Sequence, residues 1–485
     1  MLASSWQYKR FHISVLLTWL ALGVLGGLFF GQYSTLPLPS VVVWLATLVI
    51  VSMLHSRRWF ACIAVLIAGL TLGIIRGSHY LHETSQLDSF VGKTIILKGE
   101  LSQDPVQQDE SGLWQAQLNN ISVDGKSFAG EIYATILSDE TLQRNNLVTI
   151  QSKATAGFGS FRLTLYRAEL KDLTTNEDVF LTTRNIFAEG VRHVVPEPEA
   201  SLGLGFVVGQ KSALPTDLEE QLKIVGLTHI VVASGYNLTI LVRFARRLLA
   251  RRSRYLALVG SAALVAGFVA ISGLSPSMNR AAIVTSLSLL AWYYGRKFHP
   301  VQLILYVASV SALLYPVYIW SDLGWLLSFT AFAGVLVVAP IITRLTHKSR
   351  STSPPSAIVQ LVIETLSAQL MTLPIIMVYF GYIPLLAFLA NLLVAPVIPF
   401  AMLTAFLAGL AGLVSSSLWV VAMPASIVIA YVVSVVEKLS SWSWAQVSTS
   451  IAPTFAWAWY GLLGGWLGLV WKRRQVDLRA SSIVD

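Results

Sequence analysis

The chain has 485 residues, of which 55% are hydrophobic and 12% charged, against about a quarter charged in an ordinary soluble domain. Runs of roughly 17 to 25 apolar residues recur, each long enough to cross about 30 Å of hydrocarbon, which excludes a soluble protein. The net charge of +9 sits in short stretches beside those runs, as the positive-inside rule expects of cytoplasmic loops; attraction of anionic lipid or DNA is its other use.

Lys9 and Arg10 precede the first of three apolar runs, near 14–31, 39–55 and 60–76. Two further runs follow at once, so the first reads as an anchor and not a cleaved signal. Arg57 and Arg58 then fall on the cytoplasmic side. Cys62 is the single cysteine, which leaves no disulfide framework and no thiolate metal cluster. Residues 1–78 form a three-span segment on this reading.

Over 79–178 the pattern changes to short alternating runs: "TIILKGEL", "LWQAQLNNISV", "FAGEIYATIL", "LVTIQSKA" and "FRLTLYRAEL". Period-2 alternation in five strands, separated by Gly- and Asp-rich turns, predicts a small antiparallel barrel of OB type on the outer side. Such barrels often bind single strands through stacking aromatics and a basic groove. Trp114, Tyr133 and Tyr166 are the candidate stackers, beside Phe128, Phe158 and Phe161. Residues 86–175 carry eight Lys/Arg against eleven Asp/Glu, so no basic surplus steers a polyanion there.

Residues 179–225 read as an amphipathic, interfacial or re-entrant segment. The multi-span region 226–474 opens on "GLTHIVVASGYNLTIL", an apolar run carrying His229, Ser234, Gly235, Tyr236 and Asn237. Polar groups in hydrocarbon are costly without partners. The cluster therefore either bonds neighbouring helices or lines a polar path. Read as one helix, it places Ser234 with Asn237 on one face and His229 with Tyr236 on another. Six arginines between Arg243 and Arg254 follow and set its inner end. Further apolar runs lie near 256–274, 278–294, 299–317, 322–345, 356–380, 383–413, 417–437 and 455–471. The count is about twelve crossings, with both termini and the tail 475–485 in the cytoplasm.

Five later candidate residues stand at membrane depth. Arg280 in "SPSMNRAA" either snorkels to the outer interface or faces a wet cavity, where a guanidinium suits phosphate. Asp322 is either a surface carboxylate or its partner. Glu364 lies in a polar stripe with Gln360, Ser367 and Met371, which either packs on another helix or faces an aqueous lining, with Gln369 elsewhere on a helix that Pro374 limits. Asn391 lies among Pro384, Pro396 and Pro399, which together predict a broken helix. Discontinuous helices often surround transport paths.

No zinc, phosphate-loop or metal-cluster motif occurs. Ser234 and His229, five apart on one helix, would point about 140° from each other, so neither catalysis nor a cofactor is expected.

The segments "VVGQKSALP", "GLTHIVVASGYNL", "SPSMNRAA", "SDLGWLLSF" and "LSAQLMTLP" together resemble the ComEC family of bacterial competence proteins. The resemblance carries Gly226, Leu227, Thr228, His229, Ser234, Gly235, Pro276, Ser277, Arg280 and Ala281 onto the family's signature elements. Asn237 stands where many members have a second His. A family metallo-β-lactamase-like domain is not seen after the last span, so a strand-degrading nuclease is expected as a separate protein. The resemblance implies a polytopic α-helical inner-membrane channel for single-stranded transforming DNA, with an outer DNA receptor and a cytoplasmic ATP-driven motor as partners, membrane lipid around it, and a homo-oligomer as an option. The alternative is a secondary transporter of a small anionic solute, driven through Glu364 or Asp322. The barrel favours the first.

Overall fold

A computed structural model describes residues 13–33, 58–108, 112–176, 178–210, 214–231, 235–273, 275–296, 299–346 and 356–474. It is mostly helical, with one small closed barrel. Helix α1 (Ile13–Gly31) pairs with α2 (Arg58–Ser85) at a distance set by glycine. A Cβ on Gly23 or Gly27 would lie 2.1 or 2.0 Å from the carbonyl oxygens of Leu66 or Leu70, and Gly69 and Gly73 face Leu20 and Val24 as closely. Two G-x-x-x-G faces meet here, so the backbones touch and van der Waals packing holds the pair.

The barrel strands are β1 (Thr94–Leu101), β2 (Val106–Gln108), β3 (Leu113–Val123), β4 (Lys126–Phe128), β5 (Ile132–Leu137), β6 (Leu147–Ala156) and β7 (Leu163–Thr174). Five of them close a ring in the order β1–β6–β7–β5–β3 and back to β1. The expected strands are all present. One detail differs, because β5 and β7 pair in parallel while every other pair is antiparallel. Long excursions through β6 bring the chain back in the same direction, which a hairpin-only reading of the sequence misses. Alternation supplies the core: Leu97, Leu118, Ile132, Ile136, Val148, Ile150, Leu163 and Leu165 are fully enclosed.

The next segment divides. Helix α3 (Val179–Val194) is amphipathic and capped by Asp178, which accepts from Phe180 and Leu181 N–H. Helix α4 (Glu199–Val208) is buried at every residue from Ala200 to Phe206 and ends at left-handed Gly209. It lies inside the helical body, so the interfacial reading does not apply to α4. Helix α5 (Thr216–Ile224) follows.

The remaining helices are α6 (Thr228–Val231), α7 (Gly235–Leu249), α8 (Arg254–Ser272), α9 (Pro276–Tyr293), α10 (Pro300–Leu314), α11 (Val317–Ser321), α12 (Leu323–Ala333), α13 (Ala339–Thr346), α14 (Ala357–Tyr379), α15 (Ala387–Val394), α16 (Ile398–Val414), α17 (Trp419–Ser440) and α18 (Pro453–Arg474). A two-stranded ribbon joins β8 (Tyr382–Pro384) to β9 (Gln446–Ser448). The main core gathers α4, α6, α15, α16 and α17.

Six helices among the described residues are long and apolar enough to cross a membrane, or seven if the bent pair α15–α16 is one span. Within each of the six, only 22–33% of the apolar window is buried, so most of that surface faces outward, where lipid and not water suits it. The expected count of about twelve is not reached for local reasons. The run near 39–55 lies outside the described residues. In the run at 226–241, residues 232–234 between α6 and α7 lie outside the described residues, and α10 is a 15-residue helix. α7 is 15 residues long and carries Arg243, Arg246 and Arg247 on the helix itself. The broken helix is present: α15 and α16 meet at 53°. Pro374, in contrast, does not limit α14, which runs on to Tyr379.

Candidate functional site

Ser275 caps α9 by accepting from Met278 N–H, and Pro276 opens the first turn. That turn places Arg280 inward, 2% exposed, which removes the snorkelling alternative. Its Nη2 donates to the Gly324 carbonyl at 3.0 Å. Its Nε and Nη1 are enclosed and meet no acceptor. Asp322 and Tyr318 lie within electrostatic reach, yet Asp322 forms no ion pair with Arg280; its Oδ1 accepts from Trp325 N–H at 2.8 Å and caps α12. The expected partner is thus a neighbour already engaged elsewhere. A guanidinium is left with two unused donors, a costly state in a closed interior.

Over this site stands the edge of the barrel. Glu131, at the start of β5, interacts with Asp322 and Tyr318. Burial first, and then Asp322, push the Glu131 carboxyl above the ordinary carboxylate range. The barrel is held there by buried arginines. Both terminal nitrogens of Arg184 on α3 grip the Asp104 carboxylate in the β1–β2 loop. Arg144 donates to the Ala270 carbonyl of α8 at 2.8 Å and lies 3.9 Å from Asp178.

Within the polar segment at 226–237, residues 232–234, between α6 and α7, lie outside the described residues. Ser234 lies outside the described residues. Gly235 packs on Ala281 of α9, where an added Cβ would come within 2.9 Å of the alanine Cβ. Asn237 is fully enclosed and donates to the Phe206 carbonyl of α4 at 3.2 Å. Gly226 (φ +71°) touches Ala387 and Pro384, at the head of the broken helix. His229 is exposed on α6.

Residues 206–474 match the family described as competence protein. The chain belongs to this family. No curated protein and no solved structure matches it. The competence region thus begins at Phe206, whose carbonyl holds Asn237, and it contains every helix that touches Arg280.

Elsewhere in the competence region the expected residues are dispersed. Glu364 accepts from Gln360 on its own helix at 2.8 Å. Ser367 is buried against Gly334, where an added Cβ would sit 2.5 Å from its carbonyl oxygen. That point of the polar stripe is a dry helix contact, not a wet lining. Gln369 is part-buried on α14. Asn391 is enclosed and donates to Ala387 O in its own helix, so it satisfies itself. The proline in α14 explains a different feature: Pro374 has no N–H for the Leu370 carbonyl, and Trp459 Nε1 of α18 donates there instead at 3.1 Å. No group of three or more metal-ligating side chains occurs among the described residues.

On the barrel, Trp114 donates to Ser138 O and packs on the core, which takes it from the stacking set. Tyr133 joins Phe158 and Phe161 in a trio with ring centroids 5.3–5.6 Å apart. Phe158 and Tyr166 are 52% and 57% exposed. Sequence reasoning missed the Arg144–Arg184 latch and Glu131. The G-x-x-x-G spacing was readable, whereas the latch joins residues 80 positions apart and gives no local signal.

Proposed function

We propose that the chain forms the path by which single-stranded transforming DNA enters the cytoplasm during natural competence. Membership of the competence protein family supports a part in DNA uptake. The observation that carries the finer reading is Arg280: a fully enclosed guanidinium with two donors unused, below an outer barrel and on the seam where α9 meets α7 and α12. A polyanion needs a cationic, hydrated route through the bundle. In the packed arrangement around Asn237 and Arg280 the route is closed, and its opening separates Gly235 from Ala281 and exposes Arg280 to a phosphate.

The reading places the barrel outside and both termini in the cytoplasm, with further helices such as α7, α9, α10 and α18 adding crossings toward the expected count. The aromatic group of Tyr133, Phe158, Phe161 and Tyr166 stacks bases at the mouth. An outer receptor delivers DNA, an ATP-driven motor draws it inward, and a nuclease degrades the other strand; the chain itself does no catalysis. A strain lacking the gene is tested for entry of labelled DNA into the cytoplasm and for growth on limiting solutes. Loss of DNA entry with normal growth is expected. Unchanged DNA entry overturns the proposal.

A further inference from the structure

A cleft of about 390 Å³ opens between α1, α10, α18 and the stretch linking α12 to α13. Val301, Val337, Ile341 and Leu467 make its walls apolar. The polar groups beside them already have partners. Gln302 Nε2 donates to Thr18 Oγ1 at 3.2 Å, and Thr18 Oγ1 donates to Ser14 O at 2.7 Å. A hydrogen-bonding guest gains little there, and an apolar one loses nothing. Gly468 also lines the cleft, and a Cβ built on it meets nothing within 4 Å.

The rim has the opposite character. Arg344 lies three residues after Ile341, Lys472 four after Gly468, and Arg296 three before His299 at the head of α10. Spacings of three and four place Arg344 and Lys472 on the same faces of α13 and α18 as Ile341 and Gly468, one turn beyond the cleft, and Arg296 stands just past the end of α9, three residues before the lining residue His299. All three are exposed. Among the described residues none of the three is in an ion pair. Three free cations around the mouth of an apolar cleft complement a molecule with an anionic head and a hydrocarbon tail.

We propose that this cleft seats an acyl chain of an anionic phospholipid, whose phosphate is held by Arg296, Arg344 and Lys472. The inference rests on these helix ends sharing one leaflet and stands apart from the DNA reading. The lipid fills the space between α1 and α18 and ties the first helix to the last.

The full chain is reconstituted in nanodiscs of phosphatidylcholine with or without phosphatidylglycerol, and lipid retained after extraction is counted by native mass spectrometry. The unaltered chain retains phosphatidylglycerol in preference. Arg344→Gln with Lys472→Gln, both at exposed positions, lowers that preference roughly thirtyfold, the worth of two cations beside an anionic leaflet. Gly468→Trp fills the cleft and removes retained lipid of both kinds. Equal retention of the two lipids by the unaltered chain overturns the proposal, as does unchanged retention in both variants. Displacement of the lipid by inorganic phosphate also overturns it, since the site then binds free anions.

Discussion

The latch that holds the barrel and the site beneath it both bury arginine, and they surround it differently. At the latch, Arg184 faces the Asp104 carboxylate with two nitrogens, and Arg144 has Asp178 within 4 Å and a backbone carbonyl besides. Some donors remain unused there too, Nε of Arg184 and Nε and Nη1 of Arg144, but each charge has a carboxylate beside it. At the inner site, Arg280 has one carbonyl, while the nearby carboxylate is occupied in capping a helix. A paired buried charge fixes a structure, since removing one partner leaves the other uncompensated. An unpaired one is a standing cost that a phosphate would relieve. The first arrangement serves stability, and the second carries the function proposed above.

Breaking the latch gives the largest effect. Arg184→Ala leaves Asp104 uncompensated and lowers stability by about 3–5 kcal/mol; thermal unfolding of the solubilised chain, with proteolysis at the β1–β2 loop, checks this. A smaller loss follows at the seam beside Arg280. Gly235→Val drives a side chain into Ala281 and costs about 1–3 kcal/mol, and adding Ala281→Gly restores part of it. Failure of that rescue would deny the close approach of α7 to α9.

Phe158→Ala on the barrel weakens binding of a single-stranded oligonucleotide by about 1–3 kcal/mol if one base stacks there. Trp114→Phe, which removes the bond to Ser138, leaves that affinity unchanged and lowers stability alone. Equal effects on binding would return Trp114 to the stacking set. The smallest effect is on pH dependence. Because the folded chain raises the Glu131 pKa, the folded state holds that proton more tightly than the unfolded chain. Stability is therefore lost as pH rises from the ordinary carboxylate range through the raised value. Glu131→Gln removes this part of the slope in thermal unfolding measured against pH.

Composition and period revealed the barrel strands almost residue by residue, because each strand buries alternate side chains in one small core. The break at the prolines of 384–399 was equally legible, since proline acts on its own backbone. Helix count and polar stripes were not. Apolar runs look alike whether they become a long span, as α14 does, or a short enclosed helix, as α4 does. The stripe of Gln360, Glu364 and Ser367 left helix packing and water both open, and Gly334 fills the space beside Ser367 with backbone. The arrangement at Arg280 needed both readings. Its place at the head of an apolar run was visible in "SPSMNRAA", and its lack of a carboxylate partner only once Asp322 was seen capping α12.

The most direct measurement compares DNA entry into the cytoplasm for Arg280→Lys and Arg280→Glu at matched membrane abundance. Retention of much of the entry by the lysine variant and its loss in the glutamate variant is the predicted result. Similar entry in both variants would contradict a phosphate contact at Arg280, and with it the reading of this site as part of the DNA path.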